Sequence, residues 1–278
     1  MTDTSQVIQN AQDPQANQEI VTLEVIDRIA HLTLNRPAKM NAVSVELVDV
    51  LIAQVAKIAA SDARVVVLSG AGDAFCAGLD TANFTKFMGA DLDDLVMART
   101  HGDANAFQAF SLCLRDLPVP VIAALQGACF GAGMQLAIAA DIRIAAPDAK
   151  LSIMEMKWGL IPDMGGMTIF PTVLRSDVLR QMIYTADVYP APQALAMGVV
   201  TELADDPKAA ALALAQKIAG KSPSAIRAAK RLIAVAETTQ DRPHVLYEES
   251  REQRDLIGKP DQIETVMAAM QKRAAVYK

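Results

Sequence analysis

The sequence predicts an α/β fold, a largely parallel sheet with helices between its strands, followed by a helical C-terminal third. Short continuous apolar runs, RVVVLSG (64–70), PVIAALQG (120–127) and DIRIAA (141–146), read as buried strands and alternate with segments of helical period. After Gly165-Gly166 the character changes and nearly every segment reads as helix. A chain of 278 residues with 52% hydrophobic side chains has the material for a large core; with aromatics at only 4%, Ala, Leu, Ile, Val and Met must fill it.

Taken in order, residues 1–18 are polar, with neither a basic start nor an apolar run, and read as a flexible tail rather than a signal peptide. An α/β core is expected over 19–200 and a helical region over 201–278. IVTLEVIDRIAHLTLN (20–35) alternates as a β-hairpin with Asp27-Arg28 at its bend, closed by Arg36-Pro37. Ser44 caps a helix whose apolar positions Leu47, Val48, Leu51, Ile52, Val55 and Ile58 recur at helical spacing. Further helices are expected at 91–116 and 132–140, and KLSI (150–153) reads as one more strand. Beyond residue 166 helices are expected at 167–173, 177–185, 192–197, 207–219, 223–235, 242–257 and 260–277, with VVTEL (199–203) as the one strand among them.

Several function classes are disfavoured. Lys and Arg number 26 against 32 Asp and Glu, a net charge of −6, which argues against a nucleic-acid partner. Cys76, Cys113 and Cys129 lack CxxC spacing and stand apart from His31, His101 and His244, so neither a disulfide framework nor a metal site is indicated. No stretch reaches the roughly 20 apolar residues of a membrane span. No dinucleotide or phosphate-loop signature occurs, and no bound cofactor is expected. A cytoplasmic protein is the expectation.

Chemistry is expected where strand ends meet glycines. In SGAGDAFCAGLD (69–80), Gly70, Gly72 and Gly78 let the backbone bend after a strand and turn N–H groups toward a ligand; an ordinary loop is the alternative. In QGACFGAGMQLA (126–137), Gly127, Gly131 and Gly133 precede a helix whose first N–H groups lack intrahelical partners, which makes an anion site.

These segments resemble a known family. LNRPAKMNAV (34–43), AFCAGLD (74–80), GACFGAGMQLAIAADIRIA (127–145) and MEMKWGLIPDMGGM (154–167) stand in the order and spacing of the crotonase superfamily, which includes enoyl-CoA hydratases and isomerases. The resemblance runs from about residue 21 to 278. It implies a spiral of ββα units, a helical trimerisation region, and assembly as a homotrimer or dimer of trimers. It further implies an acyl-CoA thioester as substrate, coenzyme A entering only as part of it.

Residue by residue, the resemblance makes the Leu79 and Ala132 N–H groups an oxyanion hole for a thioester enolate, each donor worth about 3 kcal/mol in the transition state. It lays coenzyme A along Ala38, Lys39, Met40 and Ala77, with Tyr277 and Lys278 assisting at a neighbouring subunit. Lys39 is otherwise a solvated surface lysine. Hydratases of the family hold water between two glutamates; here Gln135 stands at the first position and Glu155 at the second. An amide cannot accept a proton from water, so double-bond isomerisation by Glu155 ranks first, hydration second and thioester hydrolysis third. Asp163 fits either a second acid, as in dienoyl-CoA isomerases and 3-hydroxyacyl-CoA hydrolases, or a helix N-cap. The dehalogenase branch has Trp where this chain has Glu155, and the acidic charge argues against the family's RNA-binding members.

Overall fold

The computed structural model describes residues 19–83 and 89–277. The predicted hairpin is β1 (Val21–Ile26) and β2 (Ile29–Leu34), antiparallel, with Asp27 and Arg28 both in the left-handed region at φ 49° and 64°. Beyond it, β3 (Val65–Gly70), β4 (Val121–Leu125), β6 (Ile142–Ala145) and β9 (Glu202–Leu203) extend a six-stranded sheet in the order β1-β2-β3-β4-β6-β9, every pair after the hairpin parallel. A second sheet of three short strands holds β5 (Ala128–Phe130), β7 (Lys150–Ser152) and β8 (Tyr189–Pro190) in the order β5-β7-β8.

Continuous apolar runs such as VVVL are what a strand covered on both faces requires. One face of the large sheet, with Val66, Leu68, Ala123 and Leu125, packs into the main core with α1 (Val45–Ala59), α2 (Ala106–Arg115) and α3 (Ala132–Ala139). The alternate residues Val65, Val67, Ile122 and Ala124 face Ala211 and Ala215 of α7 (Pro207–Ala219). The expected cap forms, Ser44 accepting the Leu47 N–H at the start of α1, and Asp206 accepts the Ala209 N–H at the start of α7 in the same way.

Several sequence expectations need correction. The strand at 150 does not extend the large parallel sheet; it pairs with β5 and β8 in the second one. The segment 91–116 is no single helix; a π-helical turn at Asp93–Met97 gives way to extended backbone at Ala98, and α2 starts only after its N-cap Asn105, whose side chain and Gln108 form a reciprocal capping box. Within 126–137 the glycines flank a strand, β5. VVTEL contributes only β9, and that strand together with α7 joins residues beyond 200 to the sheet. The short helices α4 (Phe170–Val173), α5 (Ser176–Thr185) and α6 (Ala191–Ala196) precede it. Helices α8 (Pro223–Thr238), α9 (Arg242–Leu256) and α10 (Pro260–Met270) finish the chain; α10 stops seven residues short of Tyr277, and residues 274–277 lie back without helix.

Candidate active site

Polar side chains hold the turn after β3: Gln126 donates Nε2 to the Gly70 and Gly72 carbonyls, and Asn41 binds from the other side. Asn41, fully buried and itself left-handed at φ 56°, accepts the Arg36 N–H at 2.8 Å and donates Nδ2 to the Ala71 carbonyl at 2.9 Å and the Ala74 carbonyl at 2.8 Å. Arg36 adds a bond to the Ala42 carbonyl and an ion pair with Asp80 at 3.1 Å. Segment 36–43 therefore braces segment 71–80.

The two glycine turns then meet. Gly78, at φ 97°, and Gly131, at φ 50°, take conformations that L side chains rarely adopt, and a Cβ on Gly131 would lie 4.0 Å from the Gly78 Cα. Each glycine is followed by a residue whose N–H donates to no acceptor among the described residues: Leu79, and Ala132 at the first position of α3. Both line one cavity of about 140 Å³, together with Ala77, Gln135, Glu155 and Asp163. Phe130, Trp158, Leu160 and Ile161 supply an apolar wall.

Glu155 reaches this cavity from a 3-10 turn, Glu155–Trp158, that follows β7. Its Oε1 lies 3.6 Å from where a Gly131 Cβ would be, so the carboxylate sits beside the α3 N-terminus. Burial pushes its pKa above the usual carboxylate range; its own backbone N–H and the Gln135 amide pull back in part, and Asp163 pushes it further up. Oε2 is buried with no hydrogen-bond partner. A buried carboxylate oxygen that no donor reaches has its proton affinity raised.

Asp163 lies in the concave wall, open to the cavity, and loss of surrounding water raises its pKa too. The N-cap alternative fails: Gly165 precedes the next 3-10 turn, Ile169 precedes α4, and neither receives a side-chain cap. Gln135 holds its own surprise. Its carbonyl oxygen accepts the N–H groups of Met164 at 2.8 Å and Gly166 at 3.2 Å, and its Nε2 donates to Glu155 Oε1 at 2.6 Å.

Five of the expected site residues, Leu79, Ala132, Gln135, Glu155 and Asp163, thus share one cavity, and Ala77 joins them. Ala38, Lys39 and Met40 lie outside it on an exposed 3-10 turn, tied to the site by the Ala77 N–H bonding the Met40 carbonyl at 2.9 Å. Tyr277 is remote: only 6% exposed, it has the Arg64 guanidinium over its ring, and its hydroxyl meets Thr265 at 3.0 Å. Lys278 lies outside the described residues. Sequence reasoning missed Phe130, Thr81 and Met164. Phe130 had a usable signal, an aromatic just before the second turn in a chain poor in aromatics; the Met164 N–H had none, because only the path of the backbone brings it to Gln135.

Comparison with known proteins supplies an independent view. A family model described as enoyl-CoA hydratase/isomerase matches residues 24–278. The (E)-benzylidenesuccinyl-CoA hydratase of Thauera aromatica is 31% identical over 240 residues, covering 82% of this chain and 87% of that protein. The mitochondrial Delta(3,5)-Delta(2,4)-dienoyl-CoA isomerase of Mus musculus is 33% identical over 254 residues, covering 88% and 77%. A crystal structure of an enoyl-CoA hydratase from Bacillus anthracis superposes with a TM-score of 0.85 at 29% identity, covering 94% of this chain and 99% of that one.

Proposed function

From the premise that the chain belongs to the enoyl-CoA hydratase/isomerase family and has its crotonase fold, we propose that it shifts the double bond of an enoyl-CoA thioester, with Glu155 as the proton shuttle. Members of the family act on acyl-CoA thioesters, and the rest follows from this site. Glu155 takes a proton from C2 of a 3-enoyl-CoA. The C–H electron pair moves into the thioester, and the enolate oxygen is held by the Leu79 and Ala132 N–H groups. The protonated Glu155 then returns the proton to C4, giving the 2-enoyl isomer with no water consumed.

One observation carries isomerisation above hydration. The Gln135 oxygen already accepts two backbone N–H groups, so the site offers water a single carboxylate, where hydration calls for a second acceptor to hold it. Because Glu155 must be ionised to act, turnover is expected to fall as pH drops through its raised pKa, above the ordinary carboxylate range.

A second reading, proton transfer across a conjugated dienoyl-CoA between Glu155 and Asp163, is favoured by two acids of raised pKa on one cavity. In either reading coenzyme A runs along Ala38, Lys39, Met40 and Ala77. Assembly as a homotrimer or dimer of trimers belongs to the same proposal, supported by exposed apolar residues on the last three helices such as Ile233, Leu246, Ile263 and Met270; light scattering should then give a mass above the 29.7 kDa of one chain.

The deciding experiment is incubation with 3-enoyl-, 2-enoyl- and 3,5-dienoyl-CoA thioesters, with mass spectrometry and chromatography separating isomers, hydrates and free acids. Conversion of 3-enoyl- to 2-enoyl-CoA without added mass is expected. Faster hydration of 2-enoyl-CoA would replace this reading, and a preference for the dienoyl thioester would promote the second.

A further inference from the structure

Gln135 does more than withhold a second carboxylate. It is buried on α3. Two backbone donors at one end of the amide and a carboxylate at the other fix which end is oxygen. Both lone pairs of that oxygen are engaged by the turn Met164–Gly166, the turn that begins at Asp163. The same turn presses on the amide, since a Cβ on Gly166 would come within 2.9 Å of the Gln135 Cγ and Oε1. Glu155 is held by one oxygen, while the other is orphaned.

We propose that Gln135 is a positioning residue: it ties Glu155 Oε1 to the turn bearing Asp163, so that Glu155 keeps one orientation and the two acids keep a set spacing. A neutral donor suits this role where an acid does not. A hydrogen bond donated to the charged form offsets part of the desolvation that raises Glu155, and it keeps the base ionised over a wider pH range. Charged neighbours are few. Asp163 faces Glu155 from the turn; α3 carries no charged residue; on α5, which packs against the 155–158 turn, Asp177 pairs with Arg175 and Arg180 bonds Ser176 and Tyr184. Lys157 lies over the Trp158 ring.

This inference rests on the reading of Glu155 as the base, and the experiment separates the two. In Gln135→Glu one carboxylate oxygen still accepts from Met164 and Gly166, while the donor to Glu155 becomes a second anion. Two carboxylates this close share one proton, and the two backbone donors keep the charge on position 135, so the proton resides on Glu155. The titration of Glu155, read in the ligand-free protein as the carboxyl infrared difference against Glu155→Gln, should rise by at least about one pH unit. The acid limb of kcat for 3-enoyl-CoA should rise with it, costing about tenfold in turnover per pH unit below the limb, with KM changed less than about twofold. Gln135→Met, which removes the donor without adding charge, should move both in the same direction by less.

If Gln135→Glu leaves the Glu155 titration where it was, the clamp is wrong whatever the activity does. If the titration moves but Glu155→Gln retains turnover, the clamp stands and the isomerase reading falls. Gln135→Met strands two backbone N–H groups and risks misfolding, in which case Gln135→Glu decides alone.

Discussion

Helix α3 and the helices α8 to α10 solve opposite problems. Every residue of α3 from Ala132 to Ala139 is buried, whereas α8, α9 and α10 each bury a single residue, Ala228, Glu252 and Ala268. Enclosed on all sides, α3 needs no polar face, and its N-terminus is set by the packed core around it. The last helices hold on through polar ties at their edges: Arg231 with Glu252, Lys230 with Asp141, Arg273 with Glu264. The difference separates the duties within the chain. On the proposed function, the Ala132 donor, which must meet an oxyanion within tenths of an ångström, stands on a helix buried on every side, and surface left for other contacts stands on helices that bury little of their own length.

Four perturbations should sharpen or break that contrast, the first three in the core. Glu155→Gln should lower isomerase turnover by about 10²- to 10⁴-fold with the thermal midpoint nearly unchanged, since it removes a proton acceptor and no packing. Full turnover in a folded Glu155→Gln protein would remove Glu155 from the chemistry. One residue inserted between Gly131 and Ala132 should cost about 10²- to 10³-fold in kcat by misdirecting one N–H donor; undiminished turnover would mean that the α3 N-terminus is not the oxyanion site.

Asn41→Ala should destabilise the protein by about 3 kcal/mol in urea titration, because the Arg36 N–H and the Ala71 and Ala74 carbonyls lose their partner inside the fold. A loss below about 1 kcal/mol would show that segment 36–43 does not brace the first turn. The smallest effect belongs to the last helices. Arg231→Ala should cost no more than about 1 kcal/mol, since its side chain is 54% exposed, and should leave kcat unchanged. The Arg231 guanidinium holds Glu252 below its ordinary pKa, so this increment is present above the unfolded pKa of a glutamate and disappears as pH falls through the lowered one. A large drop in kcat for Arg231→Ala would dissolve the division between the two regions.

How much of this was legible beforehand varies with the range of the interactions involved. Alternation marks the hairpin and helical spacing marks α1, because each reflects which face a segment buries; continuous apolar runs mark the central strands, and segment 207–219 is helical over its whole expected length. The segment 91–116 was misread because its apolar residues keep helical spacing across a break whose cause is local capping at Asn105. Leu79, Ala132, Glu155 and Asp163 were found through the resemblance of their motifs, and no periodicity in the chain pointed to their meeting in one cavity.

By itself, then, the sequence determined the layers, the two glycine turns and the substitution of an amide for an acid at 135, since these depend on residue type and near neighbours. Only the tertiary structure decided what Gln135 does. Its oxygen is engaged by Met164 and Gly166, 29 and 31 residues away, and its nitrogen by Glu155, 20 residues away. A side-chain amide has four places to bond, and which of them are filled is set by where a folded backbone brings its own N–H groups; that path is fixed by the packing of the whole core and is written in no single stretch of the chain.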